Sequence, residues 1–254
     1  MSRIRGKLAL LTGASSGIGL ACARRFAADG ANLVLWARRR DRLDTLAREL
    51  RGAGVEVHTA AVDVRDRPAV QAAAEALAGV GVPDLLLNSA GLALGMAKLH
   101  EGDPDDWDRM IDTNLKGLLN VSRAVLPAML ARGTGHVINI GSTAGRLVYP
   151  KGNVYCATKF GVRALSEGMN LDCAGTNVRV SNVDPGYVRT EFSNVRFKGD
   201  EARAEHTYDG FRPLSAEDVA DVIGYMVNLP DHMYIPDVVV LPAAQRNVYV
   251  VDRA

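Results

Sequence analysis

Short apolar runs alternate with stretches of helical periodicity along almost the whole of the 254-residue chain. Apolar runs that end in turn residues and lead into a helix are typical of buried parallel strands. This pattern predicts strands at residues 7–12, 32–37, 55–62, 84–88, 137–140, 178–183 and 238–241. The sequence contains no internal repeat, low-complexity segment or linker, so we predict one α/β domain over residues 1–254.

Helical periodicity and helix-start signals fill the gaps between these strands. We predict helices at residues 17–28, 41–51, 104–132 (in two segments) and 155–174. Asp103 is a cap before Pro104, and Ser215-Ala-Glu-Asp218 is a capping box that opens the last helix. The polar, weakly periodic stretch at about 187–213 is typical of a lid over a substrate. Residues 242–254 form a tail of uncertain order.

The first strand runs into a glycine-rich turn, Thr12-Gly-Ala-Ser-Ser-Gly-Ile-Gly19. Glycine has no Cβ, so backbone N–H groups here can approach a pyrophosphate at the N-terminus of the next helix, and serine hydroxyls can add donors. The spacing differs from G-x-G-x-x-G, but the strand–turn–helix context that gives such a motif its meaning is present. We therefore predict cofactor binding by Gly13, Ser15, Ser16, Gly17, Ile18 and Gly19.

The second strand ends in Ala37, which is followed by Arg38 and Arg39. In an NAD enzyme, an acid at this position hydrogen-bonds the adenosine ribose. An uncharged residue followed by arginines instead accommodates a 2′-phosphate and offers it charge-assisted donors. The sequence therefore favours NADP as the cofactor. Alternatively, these arginines only begin the charged helix, as we expect of Arg40 and Arg42.

Tyr155 and Lys159 lie four positions apart in a helical stretch, so their side chains share one helix face. A free phenol has a pKa of roughly 10, and a neighbouring ammonium group favours the phenolate and lowers that pKa. Such a phenol suits proton exchange with an alcohol or a carbonyl. Ser142 ends an apolar strand, and its hydroxyl could hydrogen-bond the same reacting oxygen.

These motifs, together with Asn88-Ser-Ala-Gly91 and with Asn114 between two helical segments, resemble the short-chain dehydrogenase/reductase family over nearly the whole chain. The resemblance implies a Rossmann-type doubly wound parallel sheet of about seven strands with helices on both faces. It also implies a catalytic set of Asn114, Ser142, Tyr155 and Lys159. In the family, the asparagine holds a water that links the lysine to solvent.

The resemblance implies further contacts to the cofactor. Asp63 and Val64 would contact the adenine ring, although Asp63 could equally cap the helix after Arg65. Ser89 stands where the family has a second asparagine, which removes one sheet-stabilising amide. The additional cofactor contacts implied are Asp63, Val64, Asn88, Ala90, Gly91, Tyr155, Lys159, Pro185, Gly186, Val188 and Thr190.

Three segments, at residues 88–96, 140–145 and 190–200, are most similar to one branch of the family, the NADP-dependent 3-hydroxy acid dehydrogenases. This implies short acids with a 3-hydroxyl as substrates, such as serine, allo-threonine and 3-hydroxyisobutyrate, or in reverse the reduction of malonic semialdehyde. Cys156 and Asp184 stand where the branch commonly has glycine and glutamate, and both could alter which substrate fits.

An acid substrate requires a cation or several N–H donors in the pocket. Basic residues occur near the motifs in the predicted lid and after the Ser142 strand. For each of them alone, a solvated surface charge is the more common explanation, and the sequence does not choose among Arg146, Lys151, Arg189, Arg196 and Lys198.

Composition limits the partners. The net charge of +1 gives no electrostatic case for nucleic acid or for an anionic membrane, and no apolar run approaches the roughly 20 residues of a membrane span. Three widely spaced cysteines suit a reducing compartment, so we predict a soluble, cytoplasmic protein. The sequence shows no His/Cys ligand spacing, so we predict no metal. The family resemblance implies a homo-oligomer, a tetramer or a dimer, through the long helix after Tyr155.

Two other functions compete with the hydroxy acid dehydrogenase. One is a broad carbonyl reductase that acts on neutral ketones. The other is an NADP-binding sensor without turnover, which the complete catalytic set disfavours. The fold alone does not decide between them.

Overall fold

The computed structural model describes residues 2–253, so the end residues of the predicted domain, Met1 and Ala254, lie outside the described residues. Within that range, seven strands form one parallel sheet in the order β3-β2-β1-β4-β5-β6-β7. The predicted Rossmann-type doubly wound sheet is confirmed. The strands are β1 Leu8–Thr12, β2 Asn32–Ala37, β3 Val57–Ala61, β4 Leu85–Asn88, β5 Thr134–Ile140, β6 Asn177–Pro185 and β7 Asp237–Val240.

The α-helices of the described residues lie between successive strands, and three of them lie between β6 and β7. They are α1 Gly17–Ala28, α2 Arg40–Arg51, α3 Arg67–Glu75, α4 Pro104–Ile111, α5 Leu118–Arg132, α6 Asn153–Asp172, α7 Phe192–Arg196, α8 Glu201–His206 and α9 Ala216–Val227.

Successive residues of a strand point to opposite faces of the sheet, so a hydrophobic core lies on each face. Leu11 and Leu87 pack in a core with residues of α1, α2 and α9. Leu10 and Leu86 pack in the other core with residues of α3 and α5. Helices therefore cover both faces. The strand order reverses between β1 and β4, and ligands bind such sheets at this reversal, outside the carboxyl ends of the strands.

Two strands are longer than their apolar runs predict. β5 already begins at Thr134, which pairs with Asn177 of β6, although this polar start shows no apolar signal. β6 continues through Asp184 and Pro185, because these residues pair with β7. The sequence treats the same two residues as a closing turn. Neighbouring strands thus set these bounds.

The helix-start signals agree with the structure. The Asp103 carboxylate accepts the N–H of Asp105 at 3.0 Å at the start of α4. At the start of α9, the N–H of Asp218 donates to the Ser215 hydroxyl at 3.1 Å, and the N–H of Ser215 donates to the Asp218 carboxylate at 2.7 Å. The predicted capping box is therefore confirmed.

Two segments near the carboxyl ends of the strands carried weak sequence signals. Residues 187–213, here called the covering segment, contain the short helices α7 and α8. Residues 242–253, here called the C-terminal segment, fold back on themselves, with Gln245 and Val251 forming an antiparallel bridge. Their order comes from tertiary contacts that periodicity does not reveal.

Candidate active site

Ser142 lies two residues after the end of β5, in extended backbone at the carboxyl end of the sheet. Its hydroxyl accepts the N–H of Ala144 at 3.1 Å and caps a short 3₁₀ turn, Thr143–Gly145. Its own N–H donates to the buried Asp184 carboxylate at 2.8 Å. A Cβ on Gly141 would collide with that carboxylate, so glycine is required before Ser142. The ends of β5 and β6 therefore fix this serine.

Tyr155 and Lys159 lie one turn apart on α6, and both are buried, with 8% and 6% of their surface exposed. The Lys159 Nζ donates to the Ile140 carbonyl oxygen at 2.8 Å and lies 6.0 Å from the centroid of the Tyr155 ring. A Cβ on Gly145 would lie 2.6 Å from the Lys159 carbonyl oxygen, so α6 packs directly on the 3₁₀ turn. The structure thus brings Tyr155, Lys159 and the Ser142 turn together, as predicted.

Asn114 lies in a π-helical segment, Asp112–Gly117, that joins α4 to α5. Its side-chain amide donates to the Leu92 carbonyl oxygen at 2.8 Å and to the Thr158 hydroxyl at 3.0 Å, and its Oδ1 accepts the Leu92 N–H at 2.9 Å. Wide π turns of this kind are frequent at functional sites. Asn114 therefore ties the turn after β4 to α6. The water-holding role that the family resemblance implies for it stays a prediction.

Burial dominates the electrostatics of this cluster. It lowers the pKa of Lys159 to about 8, against the charge of Asp184, which raises it. Burial also raises the pKa of Tyr155 above its ordinary value, whereas the Ser142 hydroxyl and the charge of Arg196 lower it. The net effect on the pKa of Tyr155 is therefore a rise caused by burial, and the lowering by Lys159 stays a prediction. The lysine ammonium donates to the Ile140 carbonyl, and Arg196 adds a second positive charge beside the phenol.

The glycine turn has the shape that a pyrophosphate requires. Gly13 and Gly17 have left-handed backbone, with φ of 65° and 53°. A Cβ on Gly13 would lie 2.9 Å from the Ala90 nitrogen, and one on Gly19 would lie 2.6 Å from the Gly13 oxygen. Ser16 makes no capping hydrogen bond, so its side chain leaves the N-terminal N–H groups of α1 open. This cradle fits the pyrophosphate of a dinucleotide.

The turn Asn88–Gly91 packs between the glycine turn and the catalytic cluster. Two of its backbone N–H groups donate to the Thr12 hydroxyl at 3.1 and 3.2 Å. A Cβ on Gly91 would lie 3.3 Å from the Asn114 Oδ1 and 3.7 Å from the Lys159 Nζ. A small residue here therefore allows both side chains to approach the turn.

Arg39 and Arg42 converge on one carboxylate of the covering segment. Arg39 donates to Glu191 at 2.8 Å and to the Ser15 hydroxyl at 3.2 Å, and Arg42 also pairs with Glu191. Arg42 lies in the first turn of α2, as expected, and its ion pair with Glu191 is a further contact that the sequence does not predict. The Glu191 carboxylate therefore lies between two guanidinium groups beside the glycine turn. The sequence predicts another anion at this edge, the 2′-phosphate of NADP.

The predicted adenine contacts, Asp63 and Val64, lie just after the end of β3. Asp63 pairs with Arg65, which holds the pKa of the Asp63 carboxyl below its usual value, and the charge of Arg38 contributes to the same shift. Val64 is buried. The alternative that Asp63 caps the next helix is wrong, because Asp66 caps α3. The contact of Asp63 and Val64 with adenine stays a prediction.

A cavity of about 440 Å³ opens over the catalytic cluster. The predicted site residues that line it are Ser16, Gly17, Ile18, Gly91, Ser142, Tyr155, Lys159, Pro185, Gly186, Val188 and Thr190. Other predicted site residues lie outside its lining, namely Gly13, Ser15, Gly19, Arg38, Arg39, Asp63, Val64, Asn88, Ala90 and Asn114.

Among the basic candidates, Arg196 is the one that lines this cavity. Its guanidinium donates to the Tyr149 hydroxyl at 2.6 Å and lies 5.5 Å from the centroid of the Tyr155 ring. The salt bridges of the described residues give Arg196 no carboxylate partner. It therefore combines a positive charge without a carboxylate partner in the described part of the chain with a position beside Tyr155.

The other basic candidates are engaged elsewhere or exposed. Arg146 pairs with the buried Asp184 and also with Asp237, and so holds the ends of β6 and β7 together. Arg189 pairs with Glu205 at 2.7 Å, and Lys198 pairs with Asp106 at 2.9 Å. Lys151 is exposed and has left-handed backbone.

Sequence reasoning missed several residues that line the cavity. Tyr149 comes from the loop after the 3₁₀ turn, and Val248 and Tyr249 come from the C-terminal segment. None of them belongs to a motif or to a periodic stretch. They reach the site only because the chain folds back from distant positions, so no local sequence signal could have found them.

Within residues 2–253, no helix is long and apolar enough to cross a membrane. The same residues contain no group of three or more His, Cys, Asp and Glu side chains that could hold a metal ion. Cys22, Cys156 and Cys173 are buried free thiols.

Comparison with known proteins agrees with this geometry. The model of the short chain dehydrogenase family matches residues 7–201. The chain therefore belongs to the short-chain dehydrogenase family.

Individual relatives match over almost their whole length. The chain is 45% identical to the NADP-dependent 3-hydroxy acid dehydrogenase YdfG of Escherichia coli (strain K12), over 94% of this chain and 96% of that protein. It is 45% identical to sulfoacetaldehyde reductase 2 of Chromohalobacter salexigens, over 97% and 98% respectively. Its structure resembles the closed form of serine dehydrogenase complexed with NADP⁺, with a TM-score of 0.90, 44% identity and coverage of 96% and 98%.

Proposed function

We propose that this protein is an NADP-dependent dehydrogenase that interconverts a short 3-hydroxy acid and its carbonyl form. The observation that carries the proposal is Arg196, a cation free of carboxylate partners among the described residues, beside the buried Tyr155 in the cavity. A 3-hydroxy acid places its carboxylate a short distance from the reacting hydroxyl, which this pairing of a cation with a phenol fits. The relatives named for a 3-hydroxy acid, for serine and for sulfoacetaldehyde support the same class of small anionic substrate.

The four residues of the proposed catalytic set, here called the tetrad, have separate roles in the reaction. NADP, when bound, accepts or returns the hydride. Tyr155 takes the proton of the substrate hydroxyl during oxidation and returns it to the carbonyl oxygen during reduction. The Ser142 hydroxyl holds that oxygen by a hydrogen bond. Lys159 holds the nicotinamide ribose, and Asn114 supports the path of the proton to solvent.

The two directions of this exchange require different forms of Tyr155. A phenol with a pKa of roughly 10 is protonated at neutral pH, and burial raises the pKa of Tyr155 further, so the protonated form can donate directly to a carbonyl. Oxidation requires the phenolate, which the positive charge of Arg196 stabilises. A substrate carboxylate bound to Arg196 would neutralise part of that charge.

The cofactor contacts follow the two turns and the end of β6. The glycine turn, with Gly13, Ser15, Ser16, Gly17, Ile18 and Gly19, holds the pyrophosphate, and Arg38 and Arg39 bind the 2′-phosphate. The proposed remaining contacts are Asp63, Val64, Asn88, Ala90, Gly91, Tyr155, Lys159, Pro185, Gly186, Val188 and Thr190. A Cβ on Gly17 would lie 3.4 Å from the Thr190 side chain, so the covering segment reaches the glycine turn, as a lid over the cofactor must.

The proposal also includes the cellular location and the oligomeric state of the enzyme. We propose a cytoplasmic homo-oligomer, a dimer or a tetramer. Three buried free thiols are compatible with a reducing compartment. Light scattering after size exclusion measures the oligomer, and cell fractionation measures the location.

The test of function is an initial-rate panel. Formation of reduced nicotinamide is followed with NADP and with NAD, on L-serine, L-allo-threonine and 3-hydroxyisobutyrate and on neutral alcohols of similar size. We expect turnover of at least one of the acids with NADP. Turnover of neutral alcohols alone would replace the proposal by a broad carbonyl reductase. Tight NADPH binding without turnover of any substrate would favour the sensor.

A further inference from the structure

The C-terminal segment is fastened to the start of the covering segment. Gln245 is buried, its Oε1 accepts the N–H of Tyr187 at 3.0 Å, and its amide donates to the Asn247 carbonyl oxygen at 3.0 Å. A Cβ on Gly186 would collide with the Gln245 side chain. The backbone after β6 therefore closely approaches Gln245, and this contact places the residues after it at the cavity.

The segment also makes contacts on two sides of the cavity. On one side, Arg253 donates to carbonyl oxygens of Thr207 and Asp209 in the covering segment. On the other side, the Tyr249 hydroxyl donates to the Val148 carbonyl oxygen at 2.9 Å, 101 residues away in the chain. The C-terminal segment is thus tied to both the covering segment and the loop that follows the Ser142 turn.

Two residues of the segment form part of the cavity wall. Val248 is buried, whereas Tyr249 has 54% of its surface exposed, and both line the cavity. Asn247 supports this arrangement, because its Oδ1 accepts the N–H of Tyr249 and of Val250, each at 2.9 Å. The side chains are therefore held by a structured turn.

The contact to Val148 also acts on Arg196. Val148 directly precedes Tyr149, whose hydroxyl accepts a hydrogen bond from Arg196 at 2.6 Å. Tyr249 therefore fixes the loop that orients the proposed anion-binding cation. The matched range of the family model ends at residue 201, so this wall lies outside the part of the chain that it covers.

We propose that Val248 and Tyr249 limit the size of the substrate. The Tyr249 side chain closes one side of the cavity, and its hydrogen bond to the Val148 carbonyl oxygen holds it there. The inference rests on the proposed function in placing the substrate carbonyl at Ser142 and Tyr155. It adds a specificity-determining role for a segment that the sequence leaves without one. A hydrophobic wall discriminates by roughly 10- to 200-fold for each methylene that fails to fit.

The test uses the complete enzyme and unreactive carbonyl analogues. Acetamide, isobutyramide and benzamide are titrated into the NADPH complex, and binding is read from the fluorescence of bound NADPH. We expect wild-type affinity to fall from acetamide to benzamide. In Tyr249→Ala the ratio of benzamide to acetamide affinity should rise at least tenfold, and in Tyr249→Phe, which loses only the bond to Val148, by a smaller factor.

Tyr225→Ala is the matched control, since Tyr225 is an exposed tyrosine of α9 outside the cavity lining. It should leave the ratio unchanged. Because Tyr249 is exposed, its removal should also leave the melting temperature within a few degrees of wild type. A ratio in Tyr249→Ala equal to that of wild type would overturn the inference.

The outcome is separable from that of the proposed function. The amides are neutral and are not turned over, so the size ratio is measured even if no hydroxy acid is a substrate. Steady-state rates on neutral aldehydes of increasing length provide the second measurement. A gain confined to the longer aldehydes in Tyr249→Ala supports the inference, and an equal change for all lengths contradicts it.

Discussion

The residues below the cavity and those above it differ in their burial and in the contacts that hold them. The catalytic floor, defined as segment 112–117, segment 140–145 and α6, holds Asn114, Tyr155 and Lys159, each at most 8% exposed. Hydrogen bonds to backbone atoms and direct helix packing fix its side chains. The cover, defined as the covering segment and the C-terminal segment, is held partly by exposed ion pairs such as Arg189 with Glu205.

This difference suggests that the floor carries out the reaction and that the cover determines which substrate binds. Exposed ion pairs contribute roughly 0–1 kcal/mol each, so these pairs restrain the cover only weakly. A buried floor keeps the reacting groups in one geometry, which proton transfer requires. We therefore expect substitutions in the floor to affect every substrate alike and substitutions in the cover to change which substrate is preferred.

The largest effect should come from Tyr155→Phe in the floor. Removing a positioned proton donor costs roughly 10²- to 10⁴-fold in rate, and the loss should be the same for acids and neutral alcohols. Steady-state kcat and the Kd of NADPH by fluorescence test this, and the Kd should stay close to wild type. Tyr225→Phe is the control. Near-native kcat in Tyr155→Phe would show that the proton donor is misassigned.

A selective effect should follow from Arg196→Ala in the cover. A hydrogen bond to a charged group contributes about 1.5–3 kcal/mol, so kcat/KM for a hydroxy acid should fall roughly 10- to 100-fold more than for a neutral alcohol. Arg189→Ala, which removes an arginine already paired with Glu205, is the matched control. An equal loss for both substrate classes would show that Arg196 acts on the pKa of Tyr155 and does not bind the substrate carboxylate.

A substitution at the predicted 2′-phosphate site should also have a selective effect, here on cofactor binding. Arg38→Ala should weaken NADP binding about tenfold or more while leaving NAD binding nearly unchanged, because only NADP carries the 2′-phosphate. Titration of both cofactors followed by fluorescence measures the two Kd values. Arg40→Ala is the control, because Arg40 is exposed at the start of α2. If both cofactors were weakened equally, Arg38 would not bind the 2′-phosphate.

The smallest effect concerns the stability of the sheet that carries the floor. His136 in β5 is buried and bonded to the Ser181 hydroxyl at 2.8 Å, and burial lowers its pKa from 6.5 to about 3. The unfolded chain therefore binds a proton near pH 6.5 that the folded chain does not. Stability should fall as the pH drops below 6.5, by about 2 kcal/mol from this site between pH 6.5 and 5.0.

Urea unfolding at these two pH values measures this dependence. His136→Gln should lose about 2 kcal/mol less than wild type over the same interval. His58→Gln, which changes an exposed histidine of the edge strand β3, should behave like wild type. An unchanged pH dependence in His136→Gln would show that other groups carry the effect.

The sequence predicted the floor better than the cover. Tyr155, Lys159 and Ser142 lie in local patterns, namely a helix face and a strand end, and both patterns persist in the fold. The pKa of Tyr155 was not predictable from the four-residue spacing, because burial and the direction of the Lys159 ammonium depend on neighbours distant in the chain. The ion pair of Arg42 with Glu191 was not predictable for the same reason, since the two residues lie 149 positions apart in the chain.

The order of apolar runs and turns determined the seven-stranded sheet, the glycine turn and the spacing of the tetrad. Each of these depends on residues close together in the chain, where periodicity and backbone chemistry act directly. Tertiary structure alone selected Arg196 among five basic candidates, by pairing three of the others with carboxylates and leaving Lys151 exposed. It also brought Val248 and Tyr249 to the cavity, through Gln245 and the bond to Val148. Contacts between residues distant in the chain determine these positions, and no local sequence pattern encodes such contacts.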